Sequence, residues 1–141
     1  MEELLGVRYD VESGDFIRGG EASSKIKKML QQIGIRQDII KKICVACYEA
    51  EMNIVIHSVG GYIEAKIYSD KIEITALDKG PGIANIELAM QEGYSTASDV
   101  AREMGFGGGM GLPNIKRSSD EFYIKSELGK FTEIKIVVYF N

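Results

Sequence analysis

The chain is poor in the residues that build metal sites and disulfide frameworks, with two cysteines and one histidine among 141 residues. Cys44 and Cys47 have CxxC spacing, but no second pair joins them and His57 is the only histidine, so a tetrahedral zinc site lacks ligands. Both cysteines fall in a stretch of helical periodicity, where the expected role is that of small core hydrophobes. No apolar run approaches the ~20 residues that a membrane helix requires. The start, Met1-Glu2-Glu3-Leu4-Leu5-Gly6, is acidic and lacks the basic opening and apolar core of an export signal. A cytoplasmic protein with no membrane partner is expected. A basic surplus is missing too: the net charge is −4, the isoelectric point is near 5.1, and Lys and Arg are scattered, which makes nucleic acid a poor partner.

Hydrophobic residues make up 45% of the chain, enough for a single domain over residues 1–141 to bury a core without a disulfide or metal. Leu5 to Val11 and Asp15 to Arg18 read as short strands joined at Ser13-Gly14. Ala22, Ile26, Met29, Leu30 and Ile33 recur at helical spacing and Gly34 follows as a C-cap, predicting a helix from Glu21 to Ile33. A second helix is predicted from a cap at Asp38 to about Ser58, ended by Gly60-Gly61. Tyr62 to Tyr68 and Lys71 to Leu77 alternate in polarity around Ser69-Asp70, the pattern of an antiparallel hairpin. A short helical stretch near Ala84 to Gln91, a helix from about Leu112 and closing strands Glu121 to Ser126 and Thr132 to Phe140 complete the reading. The expected fold class is α+β: a two-layer sandwich, with helices on one face of a mixed, mainly antiparallel sheet.

Three stretches carry chemistry. On a helical wheel Ile39, Ile43, Ala46, Cys47, Ala50 and Ile54 form the apolar stripe, with Glu49 and Asn53 stacked one turn apart at its edge. A carboxylate there can act as a base and an amide oxygen can serve a hard cation such as magnesium. Equally, the pair can simply mark where the stripe meets solvent. Asp78 shares strand parity with Ile72, Ile74 and Ala76, so its carboxylate points toward the helix layer and needs a partner. The exocyclic amine of a base would serve, with Gly80 and Gly82 allowing close backbone approach; a structural salt bridge or turn cap is the alternative. Half of the sixteen glycines lie between Gly80 and Gly111, and Gly107, Gly109 and Gly111 alternate before a helix opens at Leu112. Backbone N–H groups at such a helix start form a phosphate cradle, although a glycine-rich loop can also be merely flexible. No GK[ST] follows, which excludes a Walker loop, and no strand leads straight in, which excludes a Rossmann fingerprint.

The order Glu49-x-x-x-Asn53, Asp78-x-Gly80-x-Gly82 and Gly107-x-Gly109-x-Gly111-Leu112 resembles the N, G1 and G2 boxes of the GHKL ATPases, whose domain is the Bergerat ATP-binding fold. Glu92-Gly93-Tyr94-Ser95-Thr96, Gly109-Met110-Gly111-Leu112-Pro113 and Asp120-Glu121-Phe122 look most like the anti-sigma factor and switch-kinase branch of that superfamily. The resemblance, over roughly residues 20 to 140, implies ATP and Mg2+ as ligands and a protein serine/threonine kinase of a bacterial partner-switching system. Its substrate would be a STAS-domain antagonist, its switching target a sigma factor or phosphatase, and a homodimer is compatible. Glu49 would be the general base and Asn53 the magnesium ligand. Asp78 would bind the adenine amine beside Gly80, Gly82 and Thr132, while Gly107, Gly109, Gly111 and Leu112 would wrap the phosphates. Residues 84–111 would form the lid, with Ser95 and Thr96 touching the terminal phosphate. The resemblance equally admits a nucleotide-gated module that sequesters its partner without phosphorylating it. His57, inside a helix, is not expected to be a phosphoacceptor. Glu51 adds a second acid within the N box, and Gly105 and Gly108 blur the glycine register.

Overall fold

A computed structural model describes residues 3–15, 19–80, 82, 83, 86, 90, 91 and 111–141. Its elements run β1 (Leu5–Val11), α1 (Glu21–Gln32), α2 (Gln37–His57), β2 (Gly61–Ile67), β3 (Lys71–Lys79), α3 (Gly111–Arg117), β4 (Glu121–Glu127) and β5 (Phe131–Tyr139). The strands form one sheet in the order β1-β2-β3-β5-β4, and every described pairing is antiparallel, so the sheet is not mixed among the described residues.

Alternation along the strands decides which face is covered. Ile63, Ala65 and Ile67 on β2, Ile72, Ile74 and Ala76 on β3, and Ile134, Ile136 and Val138 on β5 are all buried under the helices. β-Branched side chains suit this pleated surface, and each fully buried isoleucine contributes roughly 1.5–3 kcal/mol of transfer free energy. Across from them α2 presents Ile39, Ile43, Ala46, Cys47, Ala50 and Ile54, every one buried, as the wheel required. α1 seals α2 from the far side with Ile26 and Leu30, and α3 adds Leu112 and Ile115 to the same core. No described helix is long and apolar enough to cross a membrane.

Local signals explain most boundaries. α1 closes with a Schellman motif: Gly34 has φ +82°, its N–H reaches the Gln31 carbonyl, and Ile35 N–H reaches that of Leu30. Two sequence readings change. The strand expected at Asp15 to Arg18 does not begin at Asp15, whose carbonyl instead accepts the Gly19 N–H at 3.0 Å, and β1 pairs with β2. Residues 16–18 of that expectation lie outside the described set. Asp38 is not the cap of α2 either. Arg36 holds that position, and Asp38 sits inside the first turn, where its charge favours the helix dipole and pairs with Arg36 at 3.3 Å. Of the helical stretch expected at Ala84 to Gln91, only Ile86, Met90 and Gln91 are described, with Met90 N–H bonded to the Ile86 carbonyl at 3.0 Å.

Candidate nucleotide-binding site

β3 and β5 deliver the first part of the site. Asp78 is the last inward residue of β3, 5% exposed, and lies directly opposite Thr132, the first inward residue of β5, 4% exposed. The parity that buries Ile74 and Ile136 therefore buries a carboxylate and a hydroxyl at one end of the sheet. Burial pushes the Asp78 carboxyl up to about 6, opposed by a hydrogen bond from the Thr132 backbone. Thr132 Oγ1 lies 3.0 Å from Ser126 Oγ, which also accepts the Ile83 N–H at 2.7 Å and lies 3.0 Å from the Phe131 carbonyl. Ser126, not singled out from the sequence, thus ties the segment after β3 to the β4–β5 edge.

The glycines here have their own structural reason. Gly82 has φ +72°, and a Cβ on it would come within 2.5 Å of the Glu127 carbonyl oxygen. At Gly80 a Cβ would meet Ser58 Cα at 3.1 Å and Asp78 Oδ1 at 3.3 Å. Close approach to neighbouring backbone explains both.

The second part lies along α2. Glu49 and Asn53 are half-buried one turn apart, as the wheel placed them. A Cβ on Gly111, the first residue of α3, would stand 3.3 Å from Glu49 Oε2, so the start of α3 meets the carboxylate. Burial raises the Glu49 carboxyl above the ordinary glutamate range, and a hydrogen bond with the Asn114 side chain pulls it back. Asn114 is a second residue the sequence reading passed over; its Oδ1 in turn accepts Arg117 Nη2 at 2.6 Å. Leu112 is buried in the core rather than open to a ligand. From Glu49 to Ser58, which abuts Gly80, α2 advances about 13 Å, so the acid and the segment after Asp78 meet this helix near opposite ends of that stretch. Ser95, Thr96, Gly107 and Gly109 lie outside the described residues, as does most of the expected lid.

Glu51 does something else. It is 2% exposed and accepts the N–H groups of Gly20, Ala22 and Ser23 at 3.0–3.1 Å and the Ser23 hydroxyl at 2.7 Å. Gly20 is the N-cap of α1 and has no side chain to satisfy these donors, so a carboxylate from α2 caps α1 in its place. The wheel contained the clue, since Glu51 lies between Cys47 and Val55 on one buried face. Glu51→Ala strands those donors and is expected to destabilise the fold by about 3 kcal/mol, read by urea unfolding. Loss below about 0.5 kcal/mol contradicts the capping role.

Cys47 is fully buried and its thiol is pushed to about 12, chiefly by burial, and the half-buried Cys44 thiol is raised as well. Such thiols stay protonated and pack as hydrophobes.

The result is a two-layer fold with a buried aspartate at the end of its central strand and a helix bearing an acid and an amide. The family profile described as the histidine kinase-like ATPase domain matches residues 18–137, and the chain belongs to that family. Its place within the family is the switch-kinase and anti-sigma branch. The serine/threonine-protein kinase RsbT of Bacillus subtilis is 35% identical over 100 residues, covering 68% of this chain and 69% of that protein. The anti-sigma F factor of Clostridium beijerinckii is 35% identical over 113 residues, covering 74% and 73%. The fold is shared with SiaB-SiaC complex structure from Pseudomonas aeruginosa, at TM-score 0.61 and 14% identity, over 96% of this chain and 89% of that one. A structure of the RsbU and RsbW domains of a Mycobacterium tuberculosis protein matches at TM-score 0.60 and 16% identity, with 93% of this chain spanning 32% of that one. Family membership implies ATP binding and a kinase-like partner-switching role.

Proposed function

We propose that the chain is an ATP-dependent protein serine/threonine kinase that phosphorylates a STAS-domain antagonist in a bacterial partner-switching system. The observation that carries the reading is the Glu49 carboxylate, half-buried, raised in pKa and set against the first residue of α3. A base at that place meets the requirement of phosphoryl transfer, which depends on positioning and charge neutralisation more than on covalent chemistry.

The donor set suits ATP with Mg2+: a buried carboxylate able to accept an adenine amine, and an amide oxygen suited to a hard cation. When bound, Mg2+ neutralises phosphate charge. Asp78 orients the base, with Gly80, Gly82 and Thr132 lining its pocket. Asn53 would hold the cation. Gly107, Gly109, Gly111 and the N–H of Leu112 would wrap the phosphates, and Ser95 and Thr96 would contact the terminal one. Glu49 takes the proton of the acceptor serine as its oxygen attacks the terminal phosphorus and the bond to ADP breaks. The domain acts as one unit over residues 1–141 in the cytoplasm, and its partner after switching is a sigma factor or a phosphatase.

Incubation with labelled ATP, Mg2+ and STAS-domain proteins encoded by neighbouring genes tests this. A stoichiometric phosphoserine product is expected; ATP binding with no transfer to any of them would leave a nucleotide-gated binding module instead.

A further inference from the structure

α1 and α2 run antiparallel, as the ties from Glu51 to Gly20 and Ser23 require, and a groove of about 730 Å³ opens between them on the side away from the sheet. On α2 its wall extends from Gln37 to Glu49, about 18 Å of helix. Its floor is apolar and continuous: Ile40 is buried, Cys44 is half-buried, and Val45 and Tyr48 beside them are each 37% exposed. Glu49 is the last residue of the wall, so the groove ends at the carboxylate assigned above as the base.

The charges along the groove have a sign. Its acids are engaged, Asp38 by Arg36 and Glu49 by Asn114. Lys27 on α1 and Lys41 on α2 line it too, and among the described residues neither has a carboxylate partner, in contrast to Lys25 with Glu21 and Lys42 with Asp120. Two lysines beside an apolar floor suit a segment with an apolar ridge flanked by carboxylates.

Building on the proposed kinase reading, we infer that this α1–α2 groove docks the protein substrate through an acidic amphipathic segment, which brings the acceptor hydroxyl to Glu49 at its end. A groove shared by two helices accepts a third by ridge-into-groove packing, and Val45 and Tyr48 are the anchors it would cover. The lysines set register and speed encounter. Specificity for one antagonist over another then resides in Lys27, Lys41 and Val45, none of which belongs to the proposed nucleotide site.

The test uses the full chain and the STAS-domain protein that takes the label or, if none does, each neighbouring-gene STAS protein in turn. Lys27→Glu/Lys41→Glu and, separately, Val45→Arg alter exposed side chains, and unchanged thermal unfolding verifies the fold. Each is expected to raise the KM for the protein substrate about ten-fold or more with kcat within about two-fold, the pattern of lost ground-state docking. ATP affinity should not move, and added salt should weaken wild-type docking more than that of the charge-reversed variant. Unchanged KM in both variants overturns the proposal, and so does a shift from dimer to monomer with KM unchanged, which assigns the groove to a second copy. Calorimetric titration separates this from the kinase reading. Binding that weakens about ten-fold in the variants, with no transfer in the wild type, supports the groove and sinks only the kinase. Failure of the wild type to bind any STAS protein overturns the groove.

Discussion

Glu49→Gln is expected to lower the rate of phosphoryl transfer by about 10²–10⁴-fold while ATP binds as in the wild type, because the substitution removes a proton acceptor and little volume. The geometry supports a loss in kcat rather than KM. Glu49 lies against the start of α3 and is held by Asn114, whereas the proposed adenine partner Asp78 lies beside Gly80, which abuts Ser58 about 13 Å further along α2. The pH dependence follows from the raised carboxyl. Burial lifts the folded pKa of Glu49, so a base at this position would be protonated and inactive over a wider acidic range than an exposed glutamate. The wild-type rate should therefore climb as pH rises through that raised value, and the climb should vanish in Glu49→Gln. Transfer by the variant within about two-fold of wild type would remove Glu49 from the role of base.

The second large effect concerns Asp78, where binding and stability are expected to move in opposite directions. Its folded pKa of about 6 exceeds the ordinary value of 3.8, so between those limits the folded state keeps a proton that the unfolded chain has released. Stability then falls as pH rises through that window and is lowest above it. Asp78→Asn abolishes the buried charge and still accepts the Thr132 N–H, so the ligand-free variant should be more stable at pH 7.5 by about 1–2 kcal/mol and no different near pH 4. ATP affinity should drop about 10–100-fold, the loss expected for a hydrogen bond to a charged group. Thermal unfolding with and without ATP reads both. A variant less stable than wild type at pH 7.5 would mean that Asp78 is a structural anchor, and unaltered ATP stabilisation would remove it from the site.

Both predictions rest on residues that strand parity and helical period made legible. Asp78 is legible because inward positions on a strand recur every second residue, and Thr132 lies across from it because β5 repeats that alternation in register. Glu49 and Asn53 lie at the margin of a stripe whose six members are all buried. What periodicity could not supply was information about contacts between elements. Glu51 reads as an oddity within a box until α1 is docked, because the donors it satisfies come from residues 28–31 positions away. Asn114 and Ser126 act through partners on other elements, so no local pattern announces them. The Asp38 cap failed for a related reason: an aspartate one residue inside the first turn serves the helix dipole equally well, so composition does not distinguish the two positions. The strand expected from Asp15 rested on turn chemistry at Ser13-Gly14, whereas β1 found a longer partner in β2.

The central claim is that Asp78, Thr132 and Asn53 face a single nucleotide, and titration of ATP and Mg2+ followed by amide chemical shifts on the ¹⁵N-labelled chain tests it most directly. Saturable shifts at Asp78, Gly80 and Thr132 are expected to share one dissociation constant, with Asn53 responding to Mg2+ only when ATP is present. Shifts confined to other surfaces, or none at all, would contradict the account.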